Sequence, residues 1–376
     1  MCVARIVLHI GSEKTGTSYL QRLLYVNAPL LRKRYGLLYP TDDALCQHNA
    51  HYPLAAAFLP PERCDFIPLP SAPSTSALFE HLNHVIERSG CEQVLLSAEH
   101  FSSRFDRAAT AALATQLSGH SVRILLYVRR QDEMALSALA TDLCCGNRDW
   151  LPFDRISPDN RRFNPLQVID DWRAAFGADA ITVRSYAEAT EQGIAADLLS
   201  QVGLIDVDLS TLHQVDRINQ RIGYYEARLL HGINQFLPTW REAVSAGSPE
   251  SYHQANLLRA KLLTWLRDEK ALTQEVALEA ALPPAERTML MDRFARINEK
   301  LIQCFGLQAS DFATPVTGAT PLLADALSPE TEHMLMAQAL HVLGLRLLRT
   351  EKHHSHAWHS VRRMGMWPRN IIRQLI

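Results

Sequence analysis

Apolar and β-branched residues crowd into four short runs: Val3–Ile10 (VARIVLHI), Gln93–Ser97 (QVLLS), Val122–Val128 (VRILLYV) and Ala180–Ser185 (AITVRS). Runs of this length and composition, bounded by glycine or polar turns, predict buried strands. The intervening segments carry apolar residues at helical spacing. Thr17–Arg34 places Leu20, Leu23, Leu24, Leu30 and Leu31 on one side, with Pro29 predicting a kink or an early end. Ala77–Arg88, about 107–118, Glu133–Cys145 and about 190–202 read as further helices. Strands alternating with helices imply a three-layer α/β fold, a central parallel sheet flanked by helices.

Two stretches break this rhythm. Residues 40–76 hold seven prolines among polar turns (Pro40, Pro53, Pro60, Pro61, Pro68, Pro70, Pro73) and predict an irregular loop over the domain edge. Beyond about 210 the strand pattern stops. Gly223–Phe236, His253–Thr273 and Ala285–Phe305 read as helices, and Ser328-Pro329 supply an N-cap and first position for another over Glu330–Leu348. The organisation expected is an α/β core over 1–210, a helical extension over 211–350 that completes that core, and a basic tail over 351–376. That tail mixes Trp358, Trp367, Ile371 and Ile376 with Arg362, Arg363, Arg369 and Arg373. It suits docking on an anionic membrane, but a terminal helix packed on the domain is the commoner arrangement. Its histidines (353, 354, 356, 359) are read as chance enrichment rather than a metal site.

Composition narrows the class without choosing a function. The chain is 47% hydrophobic and 21% charged, with a formal net charge of -2, which fits a globular protein with no overall field for nucleic acid. No run approaches the roughly 20 apolar residues needed to span a bilayer, and the first ten residues are too short for a secretory leader. Seven cysteines lie scattered at 2, 46, 64, 91, 144, 145 and 304 with no CxxC pair. They are read as reduced thiols in a cytoplasmic protein.

The candidate chemistry begins where the first strand ends. Gly11-Ser12-Glu13-Lys14-Thr15-Gly16-Thr17-Ser18 joins a strand to a helix. Outward backbone N–H groups and the helix dipole make such a junction an anion site, to which Lys14 adds charge and Thr15, Thr17 and Ser18 add hydroxyls. Lysine precedes Gly16 here, whereas the nucleoside-triphosphatase loop GxxxxGK[ST] places it after the second glycine. A tight turn with no ligand is the plain alternative. A second basic element follows the third strand, Val128-Arg129-Arg130-Gln131-Asp132-Glu133-Met134-Ala135-Leu136-Ser137. An arginine fork at a strand end suits phosphate, with Ser137 eight residues on and Arg130 an additional candidate for ligand charge. The second strand ends in Ser97-Ala98-Glu99-His100-Phe101, at the edge where parallel sheets bind ligands. Glu99 is the first candidate for a general base and His100 the second; the alternative is that Glu99 caps the next helix. His48 and His51 read best as exposed loop residues.

These segments carry a resemblance. His9-Ile10-Gly11-Ser12-Glu13-Lys14-Thr15-Gly16-Thr17-Ser18-Tyr19-Leu20-Gln21 resembles the 5′-phosphosulfate loop HxGxxKTGTTxLQ of the sulfotransferase family, in particular its bacterial carbohydrate-type members. The Arg129 segment is similar to that family's 3′-phosphate motif VRxPxDxxxS, with Gln131 in place of proline, and SxEHF looks like its glutamate-base arrangement. The resemblance implies a P-loop-like fold and transfer of a sulfuryl group from 3′-phosphoadenosine 5′-phosphosulfate to a hydroxyl of a glycan or glycolipid, without metal. It gives Lys14 the leaving phosphate. It assigns the 5′-phosphate to Thr15, Gly16, Thr17 and Ser18, the 3′-phosphate to Arg129 and Ser137, and the adenine to Tyr186 in Arg184-Ser185-Tyr186-Ala187-Glu188. Arg217-Ile218-Asn219 resembles an RxN element of bacterial relatives, and the cytosolic RKGxxGxWK loop is absent. A small-molecule kinase with a variant loop, or an inactive nucleotide- or glycan-binding protein of the same fold, are the alternative readings.

Overall fold

The structure is a computed structural model. It describes residues 3–60, 63–64, 74–151, 154–205, 207–215, 222–268 and 276–313, and part of the stretch 329–344. The RxN element at 217–219 and the tail beyond 344 lie outside the described residues. Two compact units emerge, and they do not follow chain order. The first comprises Met1–Ala138, Phe153–Gln220 and Ala285–Pro315; the second comprises Leu139–Pro152, Arg221–Pro284 and Val316–Ile376.

The first unit is an α/β fold. Its elements run β1 (Arg5–His9), α1 (Thr17–Tyr35), β2 (Leu37–Leu38), α2 (Tyr52–Ala56), α3 (Thr75–Ser89), β3 (Gln93–Ser97), α4 (His100–Arg104), α5 (Arg107–Gln116), β4 (Ser121–Val128), α6 (Gln131–Cys144), α7 (Pro165–Phe176), β5 (Ile181–Ser185), α8 (Tyr186–Glu191) and α9 (Ile194–Gln201). All five strands are parallel, in the order β2-β3-β1-β4-β5. The chain leaves β1 towards β2 and later returns past β1 to β4. Loops from opposite directions therefore meet at the carboxyl ends of β1, β3 and β4, where a parallel sheet holds ligands.

Alternation along the strands builds two cores. Val7, Leu95, Leu125 and Tyr127 face α1 and α9, and pack on Leu20, Leu24, Leu31, Leu198 and Leu199. Among the helices beyond the sheet, Trp172 of α7 is fully buried and stacks on Phe105 at 6.2 Å, with Phe101 edge-on. Pro29 lies inside α1 without ending it. The missing amide bond is outweighed by the buried stripe through Ala28 and Leu31, and the helix stops at Gly36, whose left-handed φ of 66° lets its N–H reach Arg32.

The pattern reading needs other corrections. β2, α2, α4 and α7 had no predicted counterpart, and α2 is a short helix inside the stretch 40–76 expected to be irregular. Gly193, at φ 93°, splits the helix expected over 190–202 into α8 and α9. The helix expected over 285–305 is two, α13 (Pro284–Arg293) and α14 (Ala295–Phe305), which follow α10 (Tyr224–Asn234), α11 (Trp240–Ser245) and α12 (Pro249–Asp268). In α14, Asn298 exchanges both amide hydrogen bonds with the buried Gln131, at 2.7 and 3.1 Å. Arg130 is likewise committed: its Nε donates to Asp132 at 2.6 Å, its Nη1 to the Ala313 carbonyl, and Glu133 lies 3.0 Å from Nη2. It is a buried structural cation and not a free ligand for substrate charge.

The second unit is helical. Leu229, Leu262 and Leu266 form its buried centre. Arg259 is almost wholly buried, donates to Asn234 and Asn256, and lies under Gly146, where a Cβ would come within 2.4 Å of the guanidinium. No helix among the described residues is long and apolar enough to cross a membrane.

The Gln131–Asn298 pair gives a direct test. Asn298→Leu leaves a buried amide unanswered and is expected to lower unfolding stability by about 1–3 kcal/mol. The double change Gln131→Leu/Asn298→Leu is expected to recover much of that loss, measured by urea unfolding.

Candidate functional site

The loop after β1 is shaped by close approach. Gly11 has φ 48°, and a Cβ there would sit 2.7 Å from Thr17 Cγ2 and 3.5 Å from Glu99 Cβ, so only glycine fits. Lys14 adopts φ 71°, a left-handed conformation that costs a side-chain-bearing residue about 1–3 kcal/mol. That turn presents the Lys14 carbonyl to Arg129, whose Nη1 donates to it at 2.8 Å. Gly16 caps α1 with φ 74° and no side chain, so the amides of Thr17, Ser18 and Tyr19 have no acceptor among the described residues. They are the free donors of a helix N-terminus, and the half-buried Ser18 stands beside them. Thr15 serves the loop itself: it is fully buried, and its hydroxyl donates to the Ser12 carbonyl at 2.7 Å. Thr17 packs against Gly11.

Arg129 and Tyr186 complete this cluster. The Arg129 guanidinium lies 5.1 Å from the centre of the Tyr186 ring, and the same ring approaches Gly16. The ends of β1, β4 and β5 thus converge on one spot, and Lys14, Gly16, Arg129 and Tyr186 are brought together. Arg129 Nε donates to Glu133 at 3.0 Å, so a phosphate on that edge would compete with Glu133. Ser137 stands on α6 about 9 Å along the axis from Gln131; it is half-buried, and no contact joins it to Arg129.

Glu99 opens α4 from the N-cap position, yet its side chain does not cap that helix. Its carboxylate instead accepts from Gln21 Nε2 at 2.8 Å and from the Tyr52 hydroxyl at 2.7 Å. Gln21 also donates to Ser97 Oγ, which pairs with His9 Nδ1 at 2.9 Å. Tyr52 packs on the His100 ring at 4.8 Å. Burial raises the Tyr52 hydroxyl well above its ordinary range, and the Glu99 charge raises it further, so it stays a donor. His51 is not an exposed loop residue. It is fully buried, accepts from the Ser97 N–H at 3.0 Å and faces the Pro40 carbonyl at 3.1 Å. Burial lowers His9 and His51 to about 4 each; Glu99 opposes the shift at His9, and the bonds to Ser97 and Pro40 oppose it at His51.

A narrow cleft flanks the loop, lined by Ser12, Glu13, Ser103, Arg129, Arg161 and Arg162 among others. Glu13 pairs with Arg162 at 2.8 Å. Burial pushes Glu13 up, but Arg162, Lys14 and His100 together hold it down at about 2. Sequence reasoning gave no role to Tyr52, Gln21, Glu13, Arg161 or Arg162. Only Gln21 carried a signal, as the last residue of the loop motif. Among the described residues no cluster of three His, Cys, Asp or Glu side chains could hold a metal ion.

The buried neutral histidines set a pH dependence. Each takes up a proton near pH 6.5 when unfolded and only near 4 when folded. Stability is therefore full above 6.5 and falls as pH drops from 6.5 to 4, by at most about 3 kcal/mol per histidine. Thermal melting across that window is expected to show the fall, and His9→Gln to flatten it. No family model, curated protein or solved structure matches the chain.

Proposed function

We propose that the protein is a sulfotransferase using 3′-phosphoadenosine 5′-phosphosulfate, acting on a hydroxyl of a carbohydrate-type acceptor. The observation that carries the reading is the convergence of the Lys14 backbone, the free amides after Gly16, Arg129 and Tyr186 on one spot, with Glu99 held beside Gly11. An anion at the α1 N-terminus meets backbone donors, a lysine and an arginine, and the Tyr186 ring offers a flat apolar face next to them. That set suits a nucleotide bearing more than one phosphate.

In the reaction, an acceptor oxygen attacks sulfur as the bond from sulfur to the 5′-phosphate oxygen breaks. The acceptor proton passes to Glu99, and adenosine 3′,5′-bisphosphate leaves. Lys14 and the α1 amides stabilise the negative charge that grows on the leaving oxygen. Gln21 and Tyr52 donate to different oxygens of Glu99, which fixes the carboxylate while leaving lone pairs for the proton. His100 is adjacent through Tyr52 and stands second as base.

Calorimetry is expected to show adenosine 3′,5′-bisphosphate binding in preference to ATP; ATP binding with no response to the bisphosphate would sink the reading. In a labelled-sulfate assay with mixed glycans, Glu99→Gln is expected to lower kcat by about 10²–10⁴-fold with bisphosphate affinity retained. Lys14→Ala is expected to lower kcat by about 10²–10³-fold. Alanine keeps the left-handed strain of that position, so the loss reports the missing amine.

A further inference from the structure

The cleft beside the loop contains a cation whose best hydrogen-bonding edge is unused. Arg161 donates through Nη1 to Asp171 and, at 3.5 Å, to the Gln167 carbonyl. Its Nε and Nη2 are shielded from solvent and have no partner among the described residues. These two nitrogens form one side of the guanidinium, the side whose parallel N–H bonds match two oxygens of a carboxylate, phosphate or sulfate. A desolvated fork facing nothing is unfavourable, and an oxyanion answers both its charge and its geometry. Arg162 does not supply that answer, because it is a cation and is held by Glu13.

The walls of the cleft that Arg161 lines are part apolar and part polar. Val128, Met134, Phe163 and Val168 are buried and give an apolar side. Ser12 and Ser103 give hydroxyls opposite. Arg161 itself sits in a run of turns over 154–163 rather than in a helix or strand.

We infer that the side-on edge of Arg161 is an oxyanion subsite, and that the acceptor brings the anion: the substrate is an acidic sugar or a similar ring carrying a carboxylate, sulfate or phosphate besides the hydroxyl that reacts. The acceptor is favoured as the source because Ser103 follows Glu99 on α4, with Arg129 shared between this cleft and the Tyr186 ring. The other source with the same chemistry is the 3′-phosphate of the donor. Only this choice of source rests on the phosphosulfate reading; the fork does not.

Two titrations decide it, on the full-length protein and on Arg161→Lys, which keeps the charge towards Asp171 and removes the fork. In the first, protein saturated with adenosine 3′,5′-bisphosphate is titrated with D-glucuronate, D-glucose 6-sulfate and neutral D-glucose at constant ionic strength. Saturable binding of the two acids and not of glucose is expected, weakened at least about tenfold in Arg161→Lys. In the second, the affinities for adenosine 3′,5′-bisphosphate and adenosine 5′-monophosphate are compared; a loss confined to the bisphosphate assigns the fork to the 3′-phosphate. Asp171→Asn breaks the same ion pair but keeps the fork, so it should retain binding and control for folding. The inference is overturned if Arg161→Lys matches the parent in both titrations, or if no response distinguishes acid from neutral ligand. Should the bisphosphate itself fail to bind, the phosphosulfate reading falls, and the acid titration without bisphosphate, parent against Arg161→Lys, still decides the role of Arg161.

Discussion

Ser97 is the point on which the site depends. It ends β3 in full burial, where every polar atom needs a partner. Its N–H donates to His51 Nδ1, its carbonyl accepts the His51 N–H, and its hydroxyl meets His9 and Gln21. One residue thus ties β1, β3, α1 and the start of the proline-rich loop together. The bond from the Ser97 N–H holds only while His51 is neutral, which burial favours. Because Gln21 then reaches Glu99 on its second hydrogen, the Glu99 carboxylate inherits its position from the core.

The charges of the site are arranged around this neutral centre without entering it. Arg129 is shared between the loop carbonyl of Lys14, the carboxylate of Glu133 and the ring of Tyr186. Arg130, the next residue along the chain, points into a buried knot with Asp132, Glu133 and Ala313. Adjacent arginines at one strand end therefore do different work, one joining the loop to the Tyr186 ring and one in the packing of the helices that follow. Glu13 gathers positive charge at the loop, pairing with Arg162 and feeling Lys14 and His100 as well.

Much of the fold was legible because its signals are local. The apolar runs at 93–97 and 122–128 differ from the observed strands by at most one residue, and glycine before a helix marked the loop. β2 escaped because two leucines carry no period. α7 did carry a local signal, Asn164 and Pro165 as N-cap and first position, that the pattern reading does not use. Positions whose meaning depends on distant partners could not be read: Gln131 needs Asn298, Tyr52 needs Glu99, and Arg161 needs Asp171. His51 looked exposed in a polar loop because nothing nearby in sequence announces the Ser97 and Pro40 backbone groups that bury it.

The left-handed turn at Lys14 has a consequence for how the protein could change. The backbone there favours glycine, and the lysine side chain persists against that preference. Lys14→Gly would make the chain easier to fold while removing the mobile amine from the loop. Selection for stability alone would thus erode the site at this position, and a lysine retained there in related chains would mark function being selected over foldability.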